Sequence, residues 1–379
     1  MKSSNKPSLV IITNLYPLPW EPNRATFNKQ QFELLQDDYD LSILIPVAFP
    51  EWFKQRKQIK QSTHTRYVPY FYLPKIGRRF YSVFMFLSIV LHSGIWLKKR
   101  KPSTIMASWA FPEAVAASWL SRLYKTKFFF KVHGSDINLH GKIPARSKQI
   151  LAAANASQGI LSVSKALADE LEMIGVPPEK IKVIYNGVNH DKFGLVRHSA
   201  KISNDYCLYI GNLKHDKGVM ELIEGFNQIK DQHPNLHLVY AGSGAMHNKL
   251  IQYVSAHNLT ERVTFLGNVA HDELPAWLSN ATALCLPSYN EGVPNVVLES
   301  MAAGTPVLAT SVGGIPEVVD ENICGKLISP KDANAVAKGL NALLSCQWSR
   351  EKIQQHASQF TWQKNRTQLI EMLKANDNE

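Results

Sequence analysis

Two doubly wound α/β domains are the fold predicted for this chain, and three observations predict it. Its 379 residues exceed the roughly 250–300 that one hydrophobic core organises. Short β-branched or aromatic runs alternate with helix-length amphipathic stretches, the pattern of a parallel sheet covered on both faces. That series stops near Asn186-Gly187-Val188-Asn189 and, after a polar stretch at 198–204, begins afresh.

In the first series a buried strand at 9–13 (LVIIT) leads to a helix over 24–35, with Phe27, Gln31, Leu34 and Leu35 toward one face. Strands follow at 41–47, 104–108, 127–132 (KFFFKV) and 159–163, and Ser164 caps a helix over 165–173 before a last strand at 182–185. The second series places strands at 207–210, 237–240, 263–266, 283–286 and 307–310, each followed by a turn and a helical run. The expected domains are residues 1–190 and 191–359. Ligands in such folds bind at the carboxyl ends of the strands, so a cleft between the two domains is where a site is expected.

The formal charge of +11 is unevenly divided. Residues 1–198 hold 28 Lys/Arg against 13 Asp/Glu, net +15, and residues 199–379 hold 14 against 18, net −4. An anionic partner of the first half is implied. No basic-aromatic repeat or nucleic-acid motif accompanies the charge, which argues against nucleic acid and for a membrane surface or a phosphorylated substrate. Four scattered cysteines (Cys207, Cys285, Cys324, Cys346) without a CxxC pair fit a reduced cytoplasmic protein lacking a disulfide framework or zinc site. The polar N-terminus, with only a short apolar run, indicates no export. Residues 80–97 are free of formal charge, between Arg78-Arg79 and Lys98-Lys99-Arg100-Lys101. Their length touches the lower limit of about 17 residues for a membrane span. Their Ser, Tyr, His and Gly content and equally basic flanks predict a packed helix with a face at the bilayer instead.

The sharpest constellation runs from Ser288 through Glu291-Gly292-Val293-Pro294 to Glu299 and Gly304-Thr305-Pro306. Pro294 stands where a helix is expected to begin. The Gly292 and Val293 amides, with the helix dipole, would suit a phosphate or a sugar hydroxyl. Glu291 and Glu299 would flank one site from loop and helix, as carboxylates do where they accept from ribose. The spacing alone equally fits a dipole-favoured Glu and an ordinary helix-surface Glu.

Glu291-x7-Glu299, the following ESMAAGTPV and Gly313-Gly314-Ile315-Pro316-Glu317 resemble the signature of retaining family 4 glycosyltransferases of the GT-B type. Ile210-Gly211-Asn212-Leu213 with Asp216-Lys217-Gly218 resembles that family's phosphate loop, and Val183 to Asn189 its hinge strand. His133-Gly134-Ser135-Asp136 resembles its histidine loop, and Phe265-Leu266-Gly267 its base-proximal turn. The second half matches almost throughout, the first at two or three short motifs. The resemblance implies two Rossmann-like domains facing across a cleft, with a C-terminal helix at about 360–379 returning to the first. It implies that Glu299 holds the ribose, Glu291 with the Gly292 and Val293 amides holds the donor sugar, and Lys217 neutralises the diphosphate. His133 would contact the donor sugar near the anomeric centre. Gly211, Asn212 and Gly267 complete the donor set. No metal and no cofactor beyond the nucleotide-diphosphate sugar are implied, and the leaving phosphate would help deprotonate the acceptor. The family usually carries an Arg where this chain has Asn212, so Lys214, His215 or Arg24 would have to meet part of the diphosphate charge. The loop from Tyr16 to Gln31 also departs from the family's Gly-Gly pair, and acceptor contacts do not carry over.

Other patterns carry less. Asp38-Tyr39-Asp40 matches a DxD metal motif but precedes a strand, where turn acids are common. Pro234 and the strand after it deny His233 and His237 a shared helical face. Gly242-Ser243-Gly244 lacks the third glycine of a dinucleotide loop, with His247 in its place. The expectation is therefore a cytoplasmic hexosyltransferase, peripheral on the inner face of the membrane. It would transfer sugar from a nucleotide-diphosphate donor to a glycan or lipid-diphosphate-linked acceptor in cell-surface polysaccharide synthesis. A nucleotide-sugar epimerase on the same fold is the alternative, separable by incubating nucleotide sugars without acceptor.

Overall fold

The structure, a computed structural model, describes residues 6–72, 77–139, 141–194 and 205–375. The 198–204 stretch and the Arg78 side chain lie outside the described residues. The chain forms two compact units, Met1–Tyr185 with Gln363–Glu379, and Asn186–Trp362.

The first unit holds a parallel seven-stranded sheet. Its strands are β1 (Ser8–Ile12), β2 (Asp40–Ala48), β3 (Thr65–Tyr70), β4 (Thr104–Ala107), β5 (Lys127–Val132), β6 (Gly159–Ser162) and β7 (Ile181–Val183). They lie in the order β3-β2-β1-β4-β5-β6-β7. Strand β3 is not predicted by its sequence, TRYVPY, which has no continuous apolar run. Its place at the sheet edge explains the proline, which has no amide proton to give to a ladder. The last strand ends at Val183, short of the expected 185.

The second unit holds a parallel six-stranded sheet: β8 (Tyr206–Ile210), β9 (His237–Ala241), β10 (Val263–Gly267), β11 (Ala283–Leu286), β12 (Val307–Thr310) and β13 (Gly325–Ile328). The order is β10-β9-β8-β11-β12-β13. Edge strand β13 (GKLI), too short and mixed to predict, closes the far side. In each sheet the order reverses beside the first strand, between β1 and β4 and between β8 and β11. Loops leaving those strands are where doubly wound folds hold ligands.

One expected face, on the helix Thr26–Glu33 and the turn after it, is half right. Gln31 and Leu35 are buried as expected, but Phe27 and Leu34 are only half-buried, and Asn28 and Phe32 turn inward instead. The cause is Lys131 on β5, fully buried, whose ammonium donates to Gln31 Oε1 at 2.8 Å and Asn28 Oδ1 at 3.3 Å. Gln31 Nε2 donates in turn to Asn365 Oδ1 at 2.7 Å, and Asn365 Nδ2 to the Tyr185 carbonyl at 2.8 Å. The C-terminal helix Trp362–Lys374 is thereby tied to the first unit, burying Leu369, Met372 and Leu373. A buried ammonium is tolerable only when such acceptors surround it.

The apolar run is a helix, Tyr81–Arg100, turned against intuition. Ser82, Ser88 and Ser93 lie on its buried side with Met85, Ile89 and Leu97. Val83, Leu87, Leu91 and Ile95, each four residues apart and so on one face, are exposed, the last two at 79 % and 78 %.

Candidate active site

The β8–β11 switch point gathers much of the predicted donor set. After β8, Gly211 and Asn212 lead to the short 3₁₀ turn His215–Lys217, which Gly218 closes at φ +66° before the helix Val219–Ile229. After β11, the loop 287–294 delivers the helix Asn295–Ala302, with Pro294 as its N-cap and not its first residue as expected. Backbone packing joins the two loops. The Tyr289 amide donates to the Asp216 carbonyl at 2.9 Å. A Cβ on Gly218 would stand 1.9 Å from the Pro287 oxygen. Behind the second loop, a Cβ on Gly313 (φ +53°) would stand 1.9 Å from the Glu291 oxygen. The Gly-Gly after β12 thus supports the loop that bears Glu291.

This packing brings Lys217 and Glu291 into an ion pair, Nζ to Oε1 2.6 Å, with side chains 27 % and 14 % exposed. Each side chain is shielded from solvent largely against the other. Glu299 lies one helix turn beyond the N-terminus, and its Oε1 is 2.8 Å from His271 Nε2. Val293 is buried, and the Gly292 carbonyl accepts from Gly314 at 2.8 Å. Asn212 is exposed, its carbonyl taken by the Tyr209 hydroxyl at 2.9 Å. Lys214 and His215 beside it are exposed too. Gly267 ends β10, and a Cβ there would meet nothing within 4 Å.

His133 belongs to the first unit, after β5. Asp136, fully buried, accepts the amides of His133 at 3.0 Å, Gly134 at 2.8 Å and Ala110 at 3.1 Å, binding the loops after β4 and β5 together. Ser108 Oγ lies 2.8 Å from His133 Nε2. Burial, and then the charge of Lys131, hold the imidazole well below its ordinary range, so the ring is neutral at pH 7.

The family profile of glycosyl transferases group 1 matches residues 197–360, and that of glycosyltransferase family 4 matches residues 33–192. A glycosyltransferase of Methanocaldococcus jannaschii is 30 % identical over 65 % of this chain and 67 % of its own length. The chain belongs to the group 1, family 4 glycosyltransferases. A Bacillus subtilis glycosyltransferase named for teichuronic acid biosynthesis is 28 % identical over 87 % of each chain. Among solved structures, Anabaena HepE in complex with UDP has a TM-score of 0.75 at 19 % identity, over 97 % of this chain and 100 % of that one. That likeness is one of fold, the GT-B arrangement of two Rossmann-like domains.

In this glycosyltransferase several site-forming residues escape sequence reasoning. Lys131 reads as one residue of a buried strand, and no motif marks Glu113. Glu113 is fully buried, and desolvation, with the Asp136 charge adding, pushes its carboxyl from an ordinary 4.5 up to about 8. Nearby, a cavity of about 440 Å³ opens at the β1–β4 switch point, lined among others by Asn14, Arg24, Tyr70, Tyr72, Tyr81 and Arg146. Arg24, considered above for the diphosphate, pairs with Glu21 at 3.1 Å. The DxD acids are spoken for: Asp38 pairs with Arg366, and Asp40 with Arg100 at 2.8 Å. His233 Nε2 lies 2.8 Å from Asn341 Oδ1. Among the described residues no three His, Cys, Asp or Glu side chains group as metal ligands.

Proposed function

We propose that this glycosyltransferase moves a hexosyl group from a nucleoside-diphosphate sugar to a glycan or lipid-diphosphate-linked acceptor, with retention at the anomeric carbon, in cell-surface polysaccharide synthesis. The 2.6 Å Lys217–Glu291 pair carries the donor half of this reading. A diphosphate arriving at Lys217 takes over the ammonium, and the released Glu291 carboxylate accepts from sugar hydroxyls. As the sugar–phosphate bond breaks, negative charge grows on the leaving diphosphate. Lys217 and the Gly292 and Val293 amides before the helix Asn295–Ala302 stabilise it without a metal. The leaving phosphate takes the acceptor's proton. His133, neutral, offers the donor sugar a hydrogen bond and no charge. UDP in the Anabaena structure and the polysaccharide name of the Bacillus relative support donor type and role.

The acceptor would be met at an anionic bilayer on the cytoplasmic side. The exposed Val83, Leu87, Leu91 and Ile95 stripe, followed by exposed Lys98, Lys99 and Lys101, has the composition of a helix lying in a membrane interface.

Melting-temperature shifts with UDP, GDP and ADP identify the nucleotide, since a ligand of the native state raises it. With the matching sugar nucleotide and acceptor, Lys217→Ala and Glu291→Ala should each lower transfer about a hundredfold or more while both variants melt near the wild type. Full turnover by both would remove the donor assignment.

A further inference from the structure

We infer that His271 positions Glu299 for the donor ribose, with Lys192 setting the tautomer that lets it do so. This rests on reading Glu299 as the ribose carboxylate. Three elements of the second unit meet at this point: the short helix His190–Phe193, the loop after β10, and the helix Asn295–Ala302. Lys192 Nζ lies 2.6 Å from Asp272 Oδ1 and 2.8 Å from His271 Nδ1. His271 Nε2 lies 2.8 Å from Glu299 Oε1.

The order of donors follows from the chemistry of the groups. An ammonium only donates, so His271 Nδ1 facing it must present its lone pair. The single proton of the neutral ring then sits on Nε2 and is donated to Glu299 Oε1. Lys192 is itself held by Asp272, and the Phe193 ring stands edge-on to the imidazole at 5.7 Å. The His271 and Glu299 side chains are only 17 % and 13 % exposed. One carboxylate oxygen is thereby engaged, and Oε2 is left to accept from the sugar hydroxyls of a nucleoside. No motif flags His271, because its role depends on Lys192, 79 residues away in sequence. His271 is a positioning residue: it acts on the ribose through Glu299.

The experiment titrates the full-length protein calorimetrically with UDP, GDP and ADP and with the 2′,3′-dideoxy counterpart of each. Wild type should bind its ribonucleotide about tenfold tighter than the dideoxy form, the size expected for hydrogen bonds to a charged acceptor. His271→Leu fills the space without a donor and should remove most of that ratio, leaving dideoxy affinity within about twofold. His271→Gln, whose amide N–H can stand in for Nε2–H, should restore it. A merely structural role would weaken both ligands alike. His271→Leu with the ratio intact overturns the inference and leaves the Glu299 reading standing. A wild type that does not distinguish the two sugars, or binds none of the three nucleotides, overturns the Glu299 reading and the inference with it. If His271→Leu does not fold, Lys192→Met decides on the same ratio: loss supports the tautomer argument and an unchanged ratio overturns it.

Discussion

At the switch point of the second unit, backbone meets backbone across spaces with no room for a Cβ. At that of the first, long side chains from separate segments surround an open cavity. The difference teaches where each unit stores its information. In the second unit the loops are held by Gly218 against Pro287 and Gly313 against Glu291, so residue type at a few positions sets the geometry. In the first unit the buried Lys131 depends on Asn28 and Gln31, 103 and 100 residues away, and the buried Asp136 reaches Ala110 in the preceding loop. Charge follows the same division, +15 over residues 1–198 and −4 over the rest.

The comparison breaks most forcefully at the glycines. Gly218→Ala or Gly313→Ala adds a clash with a backbone carbonyl to a positive-φ strain, and should cost about 3–5 kcal/mol with loss of activity. Chemical denaturation measures it; a variant as stable as wild type would mean the loops are not set by backbone approach.

Glu113 sharpens the opposite side. Its folded pKa of about 8 exceeds the ordinary 4.5, so between these values the folded state holds a proton that the unfolded state has lost. Stability from this group therefore falls as pH rises from about 4.5 to 8. Glu113→Gln should melt close to wild type near pH 5 and above it near pH 8, read by calorimetry at the two pH values. An identical pH profile in both proteins would contradict the buried, proton-holding carboxyl.

The surface stripe comes next. Leu91→Ser with Ile95→Ser should release the protein from vesicles containing anionic lipid while leaving its melting temperature nearly unchanged, because both side chains are already exposed. Retained binding would return this face to a solvated helix. The smallest effect is expected at Gly94, in the same helix, where an added Cβ meets Tyr124 Oη at an unforced 3.4 Å. Gly94→Ala should change stability by less than about 1 kcal/mol, whereas the same methyl at Gly218 should be ruinous.

Legibility in the sequence follows the same boundary. Strand β11 reads directly as a continuous apolar run and β5 from its three consecutive phenylalanines, and Ser164 reads as a helix cap that the Leu167 amide confirms at 3.1 Å. Strand β3 was hidden by its mixed TRYVPY sequence, which lacks the continuous apolar run of the interior strands and suits a sheet edge. Gln31 was legible on the inward face of its helix, but the inward turn of Asn28 was hidden because only the folded sheet brings Lys131 to it.

By itself, then, the sequence determined the alternation of strands and helices, the charge division and the glycine-carboxylate loops of the second unit. These are local properties, carried by hydrophobic period, side-chain charge and the absence of a Cβ. Tertiary structure alone decided that Lys217 rests on Glu291, that His271 rests on Glu299, and that an apolar helix turns its serines inward. Partners 74 and 28 residues apart meet only through the parallel crossovers of the sheet, and burial then requires each charge to be answered by the nearest group able to do so.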